Sequence, residues 1–566
     1  MPRKANSQED LRTRLAELSG WQTATRDDLL VAEELHETRE MDRIYPLSTA
    51  GFFDKFFYYL REIGAWPLLE GLDPEDRVGA LYPFIRFVLM TIMRCVGGVE
   101  SALAMQDVLL TDEALMAVVG FNAAQVQKGS NDRGRSRRKK PVEVRGALCY
   151  ETIVDNIVKV GPEKLEAMFN GAIRCLAKEG VFPKRIDVSL DATDNEATAN
   201  YTTDSGGDVP SVTREKRPDV RANKHARKVK VTVWGWKIWL VFEPETQIPL
   251  AMKIAGINVP DNEHAYEVLA QAQANVAGYS TVRSVALDRG FLDGKLLSRL
   301  DQEAGVIVYI PAKSNMAITA DAREIARHAE ALAAQGKRLD GTTYAERTNL
   351  VRRGSGRNAT VEERKTTVVR IRDLPCDWWK PDGSTSAANS KHFQPKLVNA
   401  TVVLRWDGAP KDAEEEVVIL DTDPSTDPFA GFDAYDKRSE IENTCNREAK
   451  ESWFLEHHPK RSEAGMRVHA YFVFTCMALV TAFRRYLRKA EEDELHGKET
   501  GIGRFRRELE AANRDKVIVF CGNHFGIFKN WEVFLLLGVP LRERMLMGES
   551  AETVLARVRA RTLNTS

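Results

Sequence analysis

The sequence predicts an α/β core that carries a β-rich insertion and follows an all-helical N-terminal region. Short apolar strands alternate with helical segments between residues 185 and 310, as in sheets that are covered by helices. Strand-like segments separated by Gly-, Pro- and Ser-rich turns lie between residues 340 and 425. Helical periodicity runs from about residue 49 to residue 180. We therefore expect domains at 1–180, 181–335, 336–425, 426–490 and 491–566.

Individual elements follow from local periodicity. In the N-terminal region, phenylalanines at 52, 53, 56 and 57 recur at helical spacing, which predicts a buried helix face. Ile186, Val188 and Leu190 alternate with polar residues and predict a half-buried strand. The further strands are expected near Val229–Phe242, Leu250–Ile257, Ser284–Leu287, Val306–Ile310, Thr366–Ile371, Leu397–Leu404, Glu415–Leu420 and Lys516–Phe520. The further helices are expected near Leu81–Val96, Leu165–Leu176, Glu263–Ala277, Gly294–Glu303, Tyr435–Lys450, Tyr471–Arg488 and Trp531–Leu537.

Composition is that of a soluble intracellular protein. The chain has 566 residues, of which 43% are hydrophobic, and its formal net charge is −1. Seven scattered cysteines form no Cys-x-x-Cys pair, which argues against a disulfide framework or a cysteine zinc site. The N-terminus lacks an apolar signal region, and the most apolar run, Tyr471–Phe483, is too short to span a bilayer. We expect a cytoplasmic protein whose nucleic-acid contacts, if any, come from local basic clusters.

One such cluster is the Gly- and Ser-containing segment from Lys128 to Lys140. Like-charge repulsion keeps a segment of this kind open as a loop. It can contact the phosphate backbone of DNA, or it can be a solvated charge run. We favour DNA contact, through Arg133, Arg135, Arg137, Arg138, Lys139 and Lys140. A second basic stretch runs from Arg214 to Lys228.

Three carboxylates have local settings that suggest a shared site. Asp191 lies in Leu-Asp-Ala-Thr at the expected end of a strand, and Asp288 lies in Asp-Arg-Gly-Phe, where Gly290 permits a sharp turn. Glu442 lies on a helix whose one face also carries Tyr435, Arg438 and Asn446. Hard divalent cations such as Mg²⁺ bind carboxylate oxygens, and a pair of such ions can drive phosphoryl transfer. For the helix alone, a solvated face with ion pairs is an equally good interpretation.

These settings resemble the DDE transposases of bacterial insertion sequences, in the IS-four-like superfamily, which have an RNase H-like catalytic core. The first acid of that family lies in Asp-x-Thr, matched by Asp191, and the second in Asp-Arg-Gly-aromatic, matched by Asp288. The third lies in Tyr-x2-Arg-x3-Glu-x6-Lys, matched by Tyr435, Arg438 and Glu442. The strict spacing of the lysine falls on Ala449, and Lys450 lies one residue later, a rotation of about 100° on an ideal helix.

The resemblance implies a metal-dependent DNA transposase. Asp191, Asp288 and Glu442 would be the catalytic residues and the ligands of two Mg²⁺ or Mn²⁺ ions. Tyr435, Arg438, Lys450 and Arg289 would contact phosphate or DNA. The partners would be double-stranded DNA, at terminal inverted repeats and at the target, and a second copy of the chain in the DNA complex. An RNase H-like nuclease without strand transfer and a non-catalytic DNA-binding protein remain as alternatives.

Several residues have competing interpretations. Asp187 lies on the same strand face as Asp191 and is the main alternative for the first acid, but Asp191 is preferred because of its Asp-x-Thr setting. Arg289 can contact DNA or only solvent, and Lys313 is expected to be a surface lysine. Trp378 and Trp379 can stack on a flipped base or pack in the core. His457 and His458 are expected at a helix end next to a basic turn, where DNA contact is one alternative.

Overall fold

The computed structural model describes most of the chain, in two compact units. The described residues are 23–74, 82–128, 146–216, 229–353, 360–379, 396–407, 416–490, 507, 511, 513–539 and 549–563. The first unit is discontinuous in sequence and consists of Met1–Ala172 and Trp453–Ser566. The second unit is the continuous stretch Ile173–Ser452. The basic residues Arg133, Arg135, Arg137, Arg138, Lys139 and Lys140 lie outside the described residues.

Helices dominate the N-terminal part of the chain, but two short strands also occur there. The helices are Asp28–Thr38, Ala50–Glu62, Trp66–Glu70, Phe84–Gly97, Met105–Val108, Glu113–Val119, Ala123–Lys128, Tyr150–Ile157 and Pro162–Lys178. The strands are β1 (Thr25–Arg26) and β2 (Arg43–Pro46). The expectation of an all-helical region is therefore wrong at these two places. Each strand is completed by a partner more than 450 residues later in the chain, so no local pattern reveals it.

The second unit is built on one ten-stranded mixed sheet. Its strands are β3 (Arg185–Ala197), β4 (Ser211–Lys216), β5 (Val229–Glu243), β6 (Ile248–Gly256), β7 (Thr281–Leu287), β8 (Ile307–Pro311), β9 (Thr342–Arg353), β10 (Thr360–Cys376), β11 (Lys396–Trp406) and β12 (Val417–Asp421). The order is β4-β5-β3-β7-β8-β12-β11-β10-β9, and β6 also pairs with β5. Strands β3, β7 and β8 are parallel, whereas β5 runs antiparallel to β3.

Helices connect the parallel strands, which confirms the expected α/β alternation. The helix Ala265–Val276 precedes β7, and Gly294–Gln302 lies between β7 and β8. The second of these begins where the sequence provides a cap, because the side chain of Asp293 accepts a hydrogen bond from the backbone N–H of Leu296 at 2.8 Å. A short 3₁₀ turn, Arg289–Phe291, follows β7 directly. The parallel part of the sheet therefore ends in tight turns that lead into helices.

The β-rich segment is not a separate layer but a continuation of the core sheet. Strand β12 pairs antiparallel with β8, and β11, β10 and β9 follow outward. The buried Arg370 of β10 donates two hydrogen bonds to Asp421 of β12, at 2.6 and 2.9 Å. The helix Ala317–Ala333, which the periodicity analysis does not predict, packs on these strands. Buried valines and isoleucines of β10, β11 and β12 form a core cluster with Phe429 and Phe432.

A helical segment follows β12 and carries the third predicted acid. It consists of the α-helix Ala430–Glu440, a π-helical turn at Ile441–Asn446 and the α-helix Arg447–Glu451. We call Ala430–Glu451 the acidic helix. Its first α-helix packs on β3, β7, β8, β11 and β12. Gly431 allows this approach, because a Cβ there would lie 2.5 Å from Thr401 Oγ1.

The chain then returns to the first unit. The long helix Glu463–Ala490 places Phe483 against Phe52 and Phe56, with ring centroids 5.8 and 5.3 Å apart. Strands β13 (Lys516–Cys521) and β14 (His524–Lys529) form a four-stranded sheet of order β1-β14-β13-β2, followed by the helices Asn530–Leu536 and Ala551–Leu563. Over Glu463–Leu487 the long helix is long and apolar enough to cross a membrane, contrary to our expectation. However, 94% of its most apolar window is buried inside the protein, as in a core helix.

Candidate active site

Asp191 and Asp288 start from adjacent backbone positions on neighbouring parallel strands. Leu190 of β3 pairs with Leu287 of β7, and each aspartate is the next residue of its chain. Neighbouring strands lie about 4.8 Å apart, so the sheet itself brings the two carboxylates together. The sequence predicts Asp191 at the end of a strand. This is wrong, because β3 continues to Ala197. Asp191 lies where the pairing of β3 with β7 stops while the pairing with β5 continues.

Gly290 is required by a close contact and not by its backbone angle. Its φ does not lie in the left-handed region, but a Cβ at this position would lie 2.9 Å from Asp261 Oδ2. The same aspartate accepts a hydrogen bond from the buried Lys237 at 2.6 Å and, through its carbonyl, one from the indole of Trp239 at 2.7 Å. The turn after Asp288 is thus packed against a fixed loop, which holds the strand end in place.

Glu442 reaches the site from the acidic helix, where Arg438 holds it. Nη1 of Arg438 donates a hydrogen bond to Glu442 Oε1 at 2.8 Å. The side chain of Arg438 is 9% exposed, whereas that of Glu442 is 50% exposed. The arginine is therefore a buried hub, and the glutamate is accessible from solvent.

The site carries more negative charge than Arg438 neutralises. Burial, together with the charges of Glu442 and Asp288, raises the pKa of Asp191 from 3.8 to about 7, although Arg438 acts in the opposite direction. Burial works to lower the pKa of Arg438, but its hydrogen bond to Glu442 and the charges of all three acids outweigh this and raise it. The pKa of Asp191 and the pKa of Arg438 are each shifted by the other charged residues of the site. The three predicted acids and Arg438 therefore form one electrostatic group.

The donor set of this group fits a hard divalent cation. It consists of carboxylate oxygens, and the raised pKa of Asp191 reflects burial first and then the charges of Glu442 and Asp288, which a bound cation would offset. In the side-chain positions seen here, Glu442 is engaged by Arg438. No three Asp, Glu, His or Cys side chains among the described residues are grouped so that they could hold a metal ion. Ion binding would therefore require Glu442 or an aspartate to change its side-chain position.

Lys450 faces the same strand as Asp191 in spite of its late position. Its ammonium group donates a hydrogen bond to the carbonyl oxygen of Asp194 on β3, at 2.9 Å. Ala449, which has the strict family spacing, is fully buried. The π-helical turn Ile441–Asn446 explains the difference. Bonds of the i→i+5 type enclose one residue more per turn than α-helical bonds, so the residues after the turn shift by about one position.

Tyr435 and Arg289 are less directly connected to the acids. The Tyr435 ring packs against Trp406 of β11, with centroids 6.5 Å apart, and the Arg438 guanidinium lies 5.7 Å from the Tyr435 ring centre. Tyr435 therefore joins the acidic helix to the extended part of the sheet. Arg289 is half-buried in the turn after Asp288. Any contact of either residue with DNA stays a prediction.

Asp187, the alternative first acid, is engaged elsewhere. Its carboxylate accepts hydrogen bonds from Arg283 and from the Ser284 hydroxyl, the latter at 2.6 Å. Burial works to raise the pKa of Asp187, but these contacts outweigh it and lower the pKa. It lines a cavity of about 360 Å³, together with Tyr309, Asp423 and Lys437. The structure thus separates two aspartates that the strand pattern places on one face.

Other candidate positions have structural surroundings. Trp379 is 2% exposed, which favours packing over base stacking. Burial, with the charges of His469 and Arg94, lowers the pKa of His458 to about 3, and His457 lies 3.4 Å from Glu100. Lys313 is exposed, as expected.

One residue near the acids has a contact that the sequence does not predict. The helix spacing predicts only that Asn446 shares a face with Glu442, yet its amide donates a hydrogen bond to Asp191 Oδ2 at 3.0 Å. The spacing of four residues between Glu442 and Asn446 is the signal that could have found it.

Comparison with known proteins identifies the family. The family model described as the transposase DDE domain matches residues 187–479, about half of the chain. The matched range contains the whole electrostatic group formed by Asp191, Asp288, Arg438 and Glu442. A comparison with curated proteins finds no match. Because the match extends from β3 beyond the acidic helix, this chain belongs to the transposase DDE domain family.

Proposed function

We propose that this protein is the DNA transposase of an insertion sequence of the IS-four-like type, which cleaves DNA at the element's ends and joins them to a target. The family implies DNA cleavage and transfer of the transposase type. The observation that carries the proposal is the electrostatic coupling of Asp191, Glu442 and Asp288, which are the three acids of the motif. Asp191 on the interior strand β3 of a mixed, helix-covered sheet supports an RNase H-like core.

In this proposal, Asp191, Asp288 and Glu442 hold two Mg²⁺ or Mn²⁺ ions. Bound ions of this kind activate an attacking oxygen and stabilise a leaving one. The buried Arg438 holds Glu442 until the site is loaded and then offers its guanidinium to a phosphate oxygen. Tyr435, Arg289 and Lys450 line the approach to the phosphodiester. Water or a freed 3′-hydroxyl is the nucleophile of the successive phosphoryl transfers.

The basic segment 128–140 would bind the terminal inverted repeats in this proposal. Its arginines and lysines suit a phosphate backbone, and their contribution should weaken as salt rises. Two element ends must be joined in one reaction, so the active form on DNA would be at least a homodimer. Its substrate is chromosomal or plasmid DNA in the cytoplasm. The domains 1–180, 181–335, 336–425, 426–490 and 491–566 would divide DNA recognition, catalysis and accessory roles.

The test uses purified full-length protein, Mg²⁺, labelled DNA carrying the element's ends and a target plasmid. We expect cleaved ends and joined products. Asp191→Asn should reduce cleavage by about 10³-fold or more, because it removes a metal-binding charge worth several kcal/mol to the transition state. The matched control is Asp187→Asn, on the same strand but paired with Arg283, which should retain cleavage.

Three outcomes would contradict parts of the proposal. Cleavage without any joined product would favour an RNase H-like nuclease. DNA binding with neither product, in Mg²⁺ or Mn²⁺, would favour a non-catalytic DNA-binding protein. Equal activity of Asp191→Asn and wild type would refute the assignment of the first acid.

A further inference from the structure

The acidic helix carries four polar residues at intervals of four: Arg438, Glu442, Asn446 and Lys450. On an ideal α-helix each interval of four residues rotates the side chain by about 40°, so the set would drift by about 120°. The hydrogen bonds of these four residues do not follow the expected drift. Arg438 bonds to Glu442 at 2.8 Å, Asn446 bonds to Asp191 at 3.0 Å, and Lys450 bonds to the Asp194 carbonyl at 2.9 Å. The last two therefore both reach β3.

The π-helical turn at Ile441–Asn446 accounts for this alignment. Its wider winding takes more than four residues for a full turn, so residues four apart come closer to one line. Asn446 is the last residue of the turn and lies between Glu442 and Lys450 on the aligned face. Single π-helical turns inside α-helices are frequent at functional sites. The turn therefore adds the polar side chain of Asn446 to the three acids and Arg438.

The hydrogen bonding of Asn446 is only half complete. The residue is 8% exposed, and its Nδ2 donates to Asp191 Oδ2. Its Oδ1 is buried and has no hydrogen-bond partner among the described residues. Asp191 must be ionised to bind a cation, and in that form it only accepts hydrogen bonds, so the amide nitrogen faces Asp191 and the amide oxygen faces away from it. A buried acceptor without a donor costs about 1–3 kcal/mol, which calls for a partner.

We propose that Asn446 is a positioning residue of the carboxylate site: its amide fixes the orientation of Asp191 for a divalent cation, and its buried Oδ1 gains a donor when the site is loaded. The proposal rests on the proposed function for the identity of the cation. By holding Oδ2, the amide fixes the rotation of the carboxylate, whose remaining lone pairs would then have one direction toward an ion. Partners that orient a ligand in this way typically contribute a factor of about 10–100 to metal affinity.

The test is Asn446→Leu, which keeps the number and branching of the side-chain heavy atoms but removes both hydrogen-bonding groups. The matched control is Asn443→Leu, an exposed asparagine of the same π-helical turn. Mn²⁺ affinity is measured on the full-length, DNA-free proteins by electron paramagnetic resonance. We expect Asn446→Leu to bind Mn²⁺ about 10–100-fold more weakly than wild type, and the control to stay within about twofold. Thermal unfolding without metal is recorded for all three proteins.

A positioning role and a merely structural role give different results. A positioning role predicts that DNA cleavage by Asn446→Leu largely recovers when Mn²⁺ is saturating. A structural role predicts a lower unfolding temperature with unchanged Mn²⁺ affinity, which would overturn the inference. Asn446→Ala, which leaves space instead of filling it, replaces Asn446→Leu if the latter does not fold. Wild-type-like affinity of the folded variant would likewise overturn the inference.

The experiment also separates this inference from the proposed function. If wild type binds Mn²⁺ but neither cuts nor joins DNA, the proposed function fails, and the affinity ratio alone decides the role of Asn446. If wild type binds no Mn²⁺, the positioning role is refuted as well.

Discussion

Two groups in the second unit each contain a buried arginine bonded to a carboxylate, but they differ in how many carboxylates surround the arginine. Arg370 and Asp421 are 1% and 0% exposed and form two hydrogen bonds with each other. The backbone N–H of Asp423 also donates to Asp421, so both oxygens of Asp421 accept hydrogen bonds. Burial raises the pKa of Asp421 as well, although its hydrogen bonds with Arg370 act in the opposite direction. Arg438, in contrast, faces three carboxylates, and the pKa of Asp191 is raised to about 7. The first pair joins two strands, whereas the group around Arg438 carries the excess negative charge that the proposed cation would offset.

The difference teaches where function is to be sought among buried ion pairs. A buried charge is costly unless it is paired and hydrogen-bonded, and the Arg370–Asp421 pair meets both conditions. The group around Arg438 stays under-neutralised, and such perturbed carboxylates cluster at functional sites. Substitutions in each of the two groups test this difference.

The largest expected effect is on catalysis. Asp288→Asn should reduce DNA cleavage by about 10³-fold or more, because it removes a negative charge that binds the cation. Its free energy of unfolding in metal-free buffer should be unchanged or higher, because one of three repelling charges is gone. Cleavage rate and urea unfolding are measured on the same preparation. A loss of stability that parallels the loss of activity would make Asp288 a structural residue.

In the first pair, Arg370→Leu should destabilise the fold by about 3–5 kcal/mol, because it leaves the buried Asp421 without a counter-charge. Urea unfolding monitored by circular dichroism measures the change. The double variant Arg370→Leu/Asp421→Leu should recover most of the loss, since it removes both charges. A single variant as stable as wild type would contradict the structural role of the pair.

The raised pKa of Asp191 predicts a dependence of stability on pH in metal-free protein. Between about pH 5 and pH 7 the unfolded chain has lost this proton and the folded protein retains it, so stability falls as pH rises. The expected loss is on the order of 2 kcal/mol, and it should level off above the folded pKa of about 7. Asp191→Asn should lack this component. Unfolding in EDTA across the pH range tests it, and identical profiles would refute the shift.

The smallest expected effect is the loss of an exposed ion pair, which gives a reference for the buried pair. Arg447 and Glu451 form an exposed pair on the acidic helix, with both side chains 64% exposed. Glu451→Ala should change the unfolding free energy by less than about 0.5 kcal/mol, because water and salt screen such pairs. Urea unfolding under the conditions used for Arg370→Leu gives the comparison. A loss as large as that of the buried pair would mean that exposure does not separate the two classes.

Much of the core could be predicted because its signals are local. The alternation in β3, the apolar strand before Asp288 and the helix after Asp293 each depend on neighbouring residues. Their predicted bounds differ from the structure by a few residues, except for β3, which runs on to Ala197. The three acids could be predicted because each lies in a short local motif that resembles one of the family's motifs. Pairings that join distant segments, such as β2 with β13, have no comparable local signal.

The sequence by itself determined the alternation of strands and helices in the first part of the core, and which carboxylates and cations lie near those elements. Only the tertiary structure shows that Asp191 lies near Glu442 and Arg438 while Asp187 pairs with Arg283, because sheet pairing and packing give residues on one strand face different neighbours. It also decided that Lys450 reaches β3, because a π-helical turn changes the helix register in a way that residue spacing does not reveal. Register is set by hydrogen bonds within the folded chain, and contacts between distant segments decide which register is stable.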